Sequence, residues 1–155
     1  MRKSPQTARG HNNLGIAYKD KGLTDKAIEH YQIALRLNPN RAEIYNNLGN
    51  AYNAVWWTDK AIEHYQSALR LNPNRAEVHN NLGVAYERKG LFNEAIKEFQ
   101  TALRLKPDDA SAHYNLGIAY SKKGLKNEAI AELKTALEIS PTFTEARQAL
   151  ESITK

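Results

Sequence analysis

Asn46-Asn47-Leu48-Gly49-Asn50-Ala51-Tyr52 is the stretch that decides how this chain is read. Near-copies stand at Asn12 to Tyr18, Asn80 to Tyr86 and Tyr114 to Tyr120. Leu14, Leu48, Leu82 and Leu116 set the interval at 34 residues each time, and a fixed period of that size indicates an array of small stacked units. The prolines obey the same period: Pro5, Pro39, Pro73, Pro107 and Pro141 are all 34 apart. A helix usually stops at or before the residue preceding a proline, so each unit closes there and the next begins just beyond.

Counting from the alanine after each proline gives units at 8–41, 42–75, 76–109 and 110–143. A polar tail at 1–7 precedes them and a segment at 144–155 follows. Each unit has room for two helices. In the second unit the first helix is predicted from Glu43 to Val55, with Tyr45, Leu48, Gly49, Ala51 and Tyr52 on one face. The second is predicted from Asp59 to Leu71, burying Ala61, Ile62, Tyr65, Ala68, Leu69 and Leu71. Thr58 and Asp59 are its N-cap candidates, with Thr24, Asp25, Asn93 and Asn127 in the other units. Gly22, Gly90 and Gly124 fall at the turn between helices, where one left-handed residue is needed. The second unit has Trp56 there, and Trp57 where the others have leucine. Gly15, Gly49, Gly83 and Gly117 sit inside first helices, each at a cost of about 1 kcal/mol relative to alanine. The expected return is close approach of the two helices, with Ala27, Ala61, Ala95 and Ala129 as the small partners.

These residues resemble the tetratricopeptide repeat, whose pattern is W-x2-L-G-x2-Y, then A-x3-F, then P. The second unit reads Tyr45, Leu48, Gly49, Tyr52, Ala61, Tyr65, Ala68 and Pro73. The third reads His79, Leu82, Gly83, Tyr86, Ala95, Phe99, Ala102 and Pro107. The departures are His11, Tyr45, His79 and His113 for the tryptophan, and Leu133 for the fourth aromatic. The resemblance spans residues 8 to 143 and implies an all-α, right-handed superhelical solenoid of four helix-turn-helix hairpins. Thr144 to Lys155 resembles the start of a further first helix, with Leu150 in place but Glu151 for the glycine, which suits a C-terminal capping helix. No comparable cap precedes the first unit. The expectation is therefore a piece of a longer protein, or a first repeat that faces a partner.

The totals exclude several functions. The 155 residues are 41% hydrophobic and 25% charged, as in an ordinary water-soluble domain, and the absence of cysteine rules out thiol catalysis and thiolate metal sites. A cytoplasmic setting is the expectation, with no secretory signal and no apolar run long enough for membrane insertion. The net charge of +5 is concentrated at the start: +2 in the tail and +3 in the first unit, then 0, −1, +1 and 0. No basic stripe continues along the array, so nucleic acid is not an expected partner. No phosphate loop, nucleophile elbow or zinc-protease helix occurs, and no catalytic residue is assigned. His11, His79 and His113 share one repeat position, and His30 and His64 another. Equivalent residues of successive repeats stand too far apart for one metal ion, so these are read as hydrogen-bonded structural histidines, with no metal and no cofactor.

The organising stretch has a second side. Asn13, Asn47, Asn81 and Asn115 occupy one position of every unit; Asn12, Asn46 and Asn80, with Tyr114 in the fourth, occupy its neighbour; Asn50 adds one more. Leu48, Gly49, Ala51 and Tyr52 suffice for hairpin packing, which leaves Asn46, Asn47 and Asn50 for function. Asparagine is a poor helix former but carries both a donor and an acceptor, so a ladder of amides could grip a peptide backbone with little regard for its side chains. The resemblance implies that these positions line the inner, concave wall on which the family binds extended peptides or helices. The ladder is similar to that in the repeat region of O-linked N-acetylglucosamine transferase. The carboxylate clamp of chaperone-binding members is not matched: Asn12, Ile16, Asn47, Glu77 and Asn81 lack its cations. The expected function is a non-catalytic interaction module that binds a protein or peptide. Two alternatives are a scaffold that forms homo-oligomers through Trp56 and Trp57 or through the uncapped first repeat, and the substrate-recognition part of a larger glycosyltransferase-like enzyme. The first two units agree at 24 of 34 positions, which indicates recent duplication or design from a consensus.

Overall fold

The computed structural model describes residues 7–155. The expected tail falls outside them except for Thr7, whose Oγ1 accepts from the Gly10 N–H at 3.1 Å and caps the first helix. Among the described residues every regular element is an α-helix: α1 (Ala8–Asp20), α2 (Thr24–Leu37), α3 (Ala42–Ala54), α4 (Thr58–Leu71), α5 (Ala76–Arg88), α6 (Phe92–Leu105), α7 (Ala110–Lys122), α8 (Lys126–Ile139) and α9 (Thr144–Thr154). They pair as antiparallel-type hairpins, α1 with α2, α3 with α4, α5 with α6 and α7 with α8. Two compact units result, one ending at Asn74 and the other running from Arg75 to Lys155. In the first unit α2 packs on α3; in the second α6 packs on α7 and α8 on α9.

Each hairpin is locked by one contact. A Cβ added to Gly49 would lie 2.6 Å from the ring of Tyr65, and one added to Gly83 2.6 Å from the ring of Phe99. Gly15 meets Tyr31 in the same way, and at Gly117 the distance to Leu133 is 2.9 Å. The first-helix glycine thus makes room for the aromatic or leucine of the second helix. The nearest atoms are those of that ring or leucine, with the Ala129 carbonyl oxygen also within contact at Gly117, and Ala27, Ala61, Ala95 and Ala129 are all buried in the second helices. The ring-sized side chains Tyr31, Tyr65 and Phe99 are fully buried there.

The turns correct one expectation. The N-caps are Leu23, Trp57, Leu91 and Leu125, so Thr24 and Thr58 begin their helices and Asp25, Asp59, Asn93 and Asn127 follow inside the first turn. The apolar residue is placed by the preceding helix. Gly22 N–H bonds to Lys19 O at 2.9 Å and Leu23 N–H to Tyr18 O at 2.9 Å, a Schellman closure that demands an apolar residue one step past the left-handed one. The Leu23 carbonyl then accepts from Ala27 N–H at 3.0 Å and opens α2. One residue closes one helix and starts the next. The same pair of bonds occurs with Trp56 in the left-handed position, at φ 64°, beside 73°, 72° and 75° for its glycine counterparts.

In the second unit α9 completes the core. Phe143, Ala149, Leu150 and Ile153 pack with Tyr114 around Leu133, Ala136 and Ala146. α9 therefore covers the last hairpin as the expected capping helix does.

Candidate ligand face on the first helices

First helices carry the asparagines, and their placement splits in two. Asn12 and Asn46 are 5% and 4% exposed. Asn13 is exposed, and Asn47, Asn50, Asn80, Asn81 and Asn115 are half-buried. Within the first unit, Asn47 Nδ2 donates to Asn12 Oδ1 at 3.1 Å, and Asn12 Nδ2 reaches Glu43 Oε1 at 3.5 Å. Within the second, Asn115 Nδ2 donates to Asn80 Oδ1 at 3.0 Å. Each of the two amide–amide hydrogen bonds joins a residue to the one 35 positions earlier, one repeat and one residue away. A buried amide needs such a partner, since an unsatisfied one costs several kcal/mol.

Asn50 is engaged differently: its Oδ1 accepts from the Tyr65 hydroxyl at 2.7 Å. The expectation that Asn46, Asn47 and Asn50 stand apart from the packing therefore does not hold. Asn46 is core, Asn50 satisfies a core tyrosine, and Asn47 ties its helix to the preceding hairpin. The remaining hydrogen-bonding capacity lies on Asn13 and on the outer half of the Asn47 and Asn115 amides. Each of the latter spends one N–H on its neighbour, and among the described residues its carbonyl oxygen and second N–H are left over. Tyr114 turns the other way, against the Phe143 ring at 5.1 Å between centroids. Burial raises its pKa, and the Glu145 and Glu87 carboxylates raise it further.

The histidines are held by partners on the facing helix, a pairing that equal repeat positions concealed. The spacing is 19 residues each time. His79 Nδ1 meets Glu98 Oε2 and His113 Nδ1 meets Glu132 Oε2, both at 2.6 Å. At the same positions of the first hairpin His11 Nδ1 and His30 Nδ1 lie 2.9 Å apart, one donating to the other. In the second hairpin Tyr45 and Tyr52 flank the His64 ring at 6.0 and 5.3 Å. Burial lowers the His64 pKa; Glu63 raises it and Lys60 lowers it further. Among the described residues no three acidic or histidine side chains converge as metal ligands. No described helix is long and apolar enough to cross a membrane.

The two tryptophans lie at the turn of the second hairpin. Trp57 stacks on Tyr52 at 5.7 Å, with Lys60 Nζ 4.3 Å from its ring centre. Trp56 is 74% exposed.

A further feature went unread in the sequence. Arg9, Asn12, Asn13, Arg41, Glu43 and Ile44 line a groove of about 400 Å³ in the first unit. The signal was available: position for position, Arg9 corresponds to Glu43 and Glu77.

The repeating hairpin, its glycine–aromatic lock and its Schellman turn define a helical-repeat protein, and the comparisons with known proteins agree. Residues 17–54, 58–90 and 88–124 match the family model described as TPR repeat, and residues 110–143 match that described as tetratricopeptide repeat. The chain belongs to the tetratricopeptide-repeat family, an all-α family of helical-repeat solenoids that act as protein-interaction modules. No curated protein sequence matches it. Among solved structures it is similar to MamA, with 33% identity, 88% of this chain and 80% of that one covered, and a TM-score of 0.84. It is similar to YrrB, a TPR protein with an unusual peptide-binding site, with 26% identity, 93% and 74% covered, and a TM-score of 0.84. It is also similar to the first TPR of Spaghetti bound to an HSP90 peptide, with 26% identity, 73% and 90% covered, and a TM-score of 0.72.

Proposed function

We propose that this chain is a non-catalytic module that holds an extended peptide or protein segment on its first-helix faces. In the first unit Asn13 and Asn47 line the contact, with Asn12, Asn46 and Asn50 as supports; in the second Asn81 and Asn115 line it over Asn80, beside Tyr114. The observation that carries the reading is the oriented amide. Asn47 and Asn115 are each pinned from behind by one N–H bond, so the outward carbonyl is preorganised. A peptide group offers one donor and one acceptor, and a fixed amide matches both at low entropic cost. The peptide-binding relatives support the ligand class. The test replaces Asn13, Asn47 and Asn115 by alanine and measures anisotropy of a labelled pool of blocked peptides. Binding weakened about tenfold, with an unchanged circular dichroism spectrum, is expected from the loss of one to two hydrogen bonds to the ligand. Unchanged affinity in a folded triple variant removes the asparagines from the site.

A second reading has its own observation. Trp56 occupies a left-handed backbone position, where a side chain costs about 1 kcal/mol or more, and presents its ring to solvent. Strain retained at an exposed aromatic points to a contact that repays it, here self-association through Trp56 and Trp57. Light scattering across a concentration series decides it. Mass that rises with concentration and reverts in Trp56→Gly/Trp57→Leu supports a homo-oligomer; constant monomer mass ends the reading.

A further inference from the structure

We infer that the groove between α1 and the start of α3 is a seat for an acidic side chain of the bound peptide; this deepens the peptide-binding reading and rests on it. Arg9 and Arg41, both exposed, border the groove, and among the described residues neither guanidinium has a hydrogen-bond or ion-pair partner.

Their positions oppose what the helices alone would select. Arg9 lies in the first turn of α1, and Arg41 is the N-cap residue of α3. Helix N-termini carry partial positive charge and favour acidic residues. α3 and α5 follow that preference with Glu43 and Glu77 in their first turns, whereas α1 has no acidic residue there. Two cations and two helix N-termini therefore face one concavity and sum to a field that an incoming anion relieves.

The chemistry of the anion follows from the rest of the lining. Glu43 contributes one negative charge, so the side chains of the groove carry a net single positive charge. That balances a carboxylate, while a dianionic phosphate would meet Glu43 at full repulsion. Arginine presents two parallel N–H donors that match the two oxygens of a carboxylate. Asn13, exposed beside them, is placed to take the adjoining peptide group, which makes the groove continuous with the asparagine face. The ligand is an internal glutamate or aspartate within an extended segment, and no terminal carboxylate is required.

The experiment uses the full chain and a dye-labelled octapeptide of alternating glutamate and glycine, blocked at both ends, beside its glutamine counterpart. The wild type is expected to bind the glutamate peptide about tenfold more tightly, because a charge-assisted hydrogen bond is stronger than a neutral one, and to lose that preference as salt rises. Arg9→Glu and Arg41→Gln abolish the preference and leave the glutamine peptide unaffected, while Arg104→Gln on α6 changes neither. Arg9→Glu installs the residue α3 already carries, so its thermal midpoint should hold or rise, which separates lost binding from lost folding. Equal affinity for the two peptides overturns the seat and leaves peptide binding intact; binding of neither overturns both. Displacement by inorganic phosphate as effective as that by unlabelled glutamate peptide overturns the carboxylate assignment.

Discussion

The first and second hairpins agree at 24 of 34 positions, and the two rows diverge where the properties diverge. Leu14 and Leu48, and Ala27 and Ala61, are shared, and so are Gly15 and Gly49 with Tyr31 and Tyr65, which form the lock of each hairpin. Arg9 against Glu43 sets the charge of a helix start. His11 against Tyr45 decides whether a second-helix histidine meets an imidazole or a phenol ring. Ile16 against Asn50 decides whether a core tyrosine hydroxyl has a partner. Gly22 against Trp56 decides whether a turn is relaxed or strained. The shared positions carry the architecture, and the differing ones carry what each hairpin can do beyond standing up.

The largest expected effect falls on the shared lock and should be the same in both hairpins. Gly15→Val and Gly49→Val drive a side chain into a buried ring, and each is expected to lose about 1–3 kcal/mol in urea denaturation, the range for overpacking a closed core. Unequal losses would mean the two hairpins are not locked alike.

The next test sets the two tyrosines against each other. The Tyr65 hydroxyl donates to Asn50, whereas the buried Tyr31 hydroxyl has no partner among the described residues, Ile16 standing where Asn50 does. Tyr31→Phe is therefore expected to gain about 1 kcal/mol and Tyr65→Phe to lose about 1 kcal/mol. Effects of one sign would break the contrast. Burial, with Asp20 adding to it, lifts the Tyr31 phenol from 10.0 to about 12. Between those values the unfolded chain releases this proton and the folded one keeps it, so stability falls as pH rises through that window. Tyr31→Phe should flatten this part of the alkaline decline.

Trp56→Gly should stabilise by about 1 kcal/mol by relieving the left-handed strain, with no equivalent gain available at Gly22. A loss on thermal denaturation would show that the exposed ring supports the fold.

The smallest effect concerns His64. Burial lowers its pKa, so the folded state favours the neutral ring. Its contribution is fully present above the unfolded value near 6.5 and is lost as pH falls below it. Unfolding midpoints at pH 7.5 and pH 5.5 should differ slightly less in His64→Gln than in the wild type. Identical differences would discount the desolvation of this ring.

The fold was legible because a period of 34 residues constrains every copy at once: helix pairs, turn positions and the capping segment all followed from it. Boundaries shifted by one residue where local preference met tertiary demand. Thr24 and Asp25 are better N-caps than leucine by intrinsic chemistry, but the Schellman closure of α1 needs Leu23 in that place. The asparagine face was legible as a set of positions, but its burial was not. Asn12 and Asn13 are adjacent and chemically identical, yet one is nearly sealed and the other exposed. Only a neighbouring repeat, 35 residues on, distinguishes them. The arginine groove was hidden for a related reason: Arg9 and Arg41 belong to different units of the period, and comparison by position never sets them side by side.

The hydrogen bond from the Asn47 amide to the Asn12 amide spans a stretch that includes two turns and a complete second helix. Its donor and acceptor meet only if that stretch has one particular number of residues. The bond is thus a gauge of chain length. A substitution in α2 or in either turn leaves the gauge reading unchanged, whereas a single residue inserted in or deleted from α2 turns the rest of that helix by about 100° at 3.6 residues per turn and works to part the two amides. Lineages of such arrays are therefore free to drift in spelling but are held to a fixed metre.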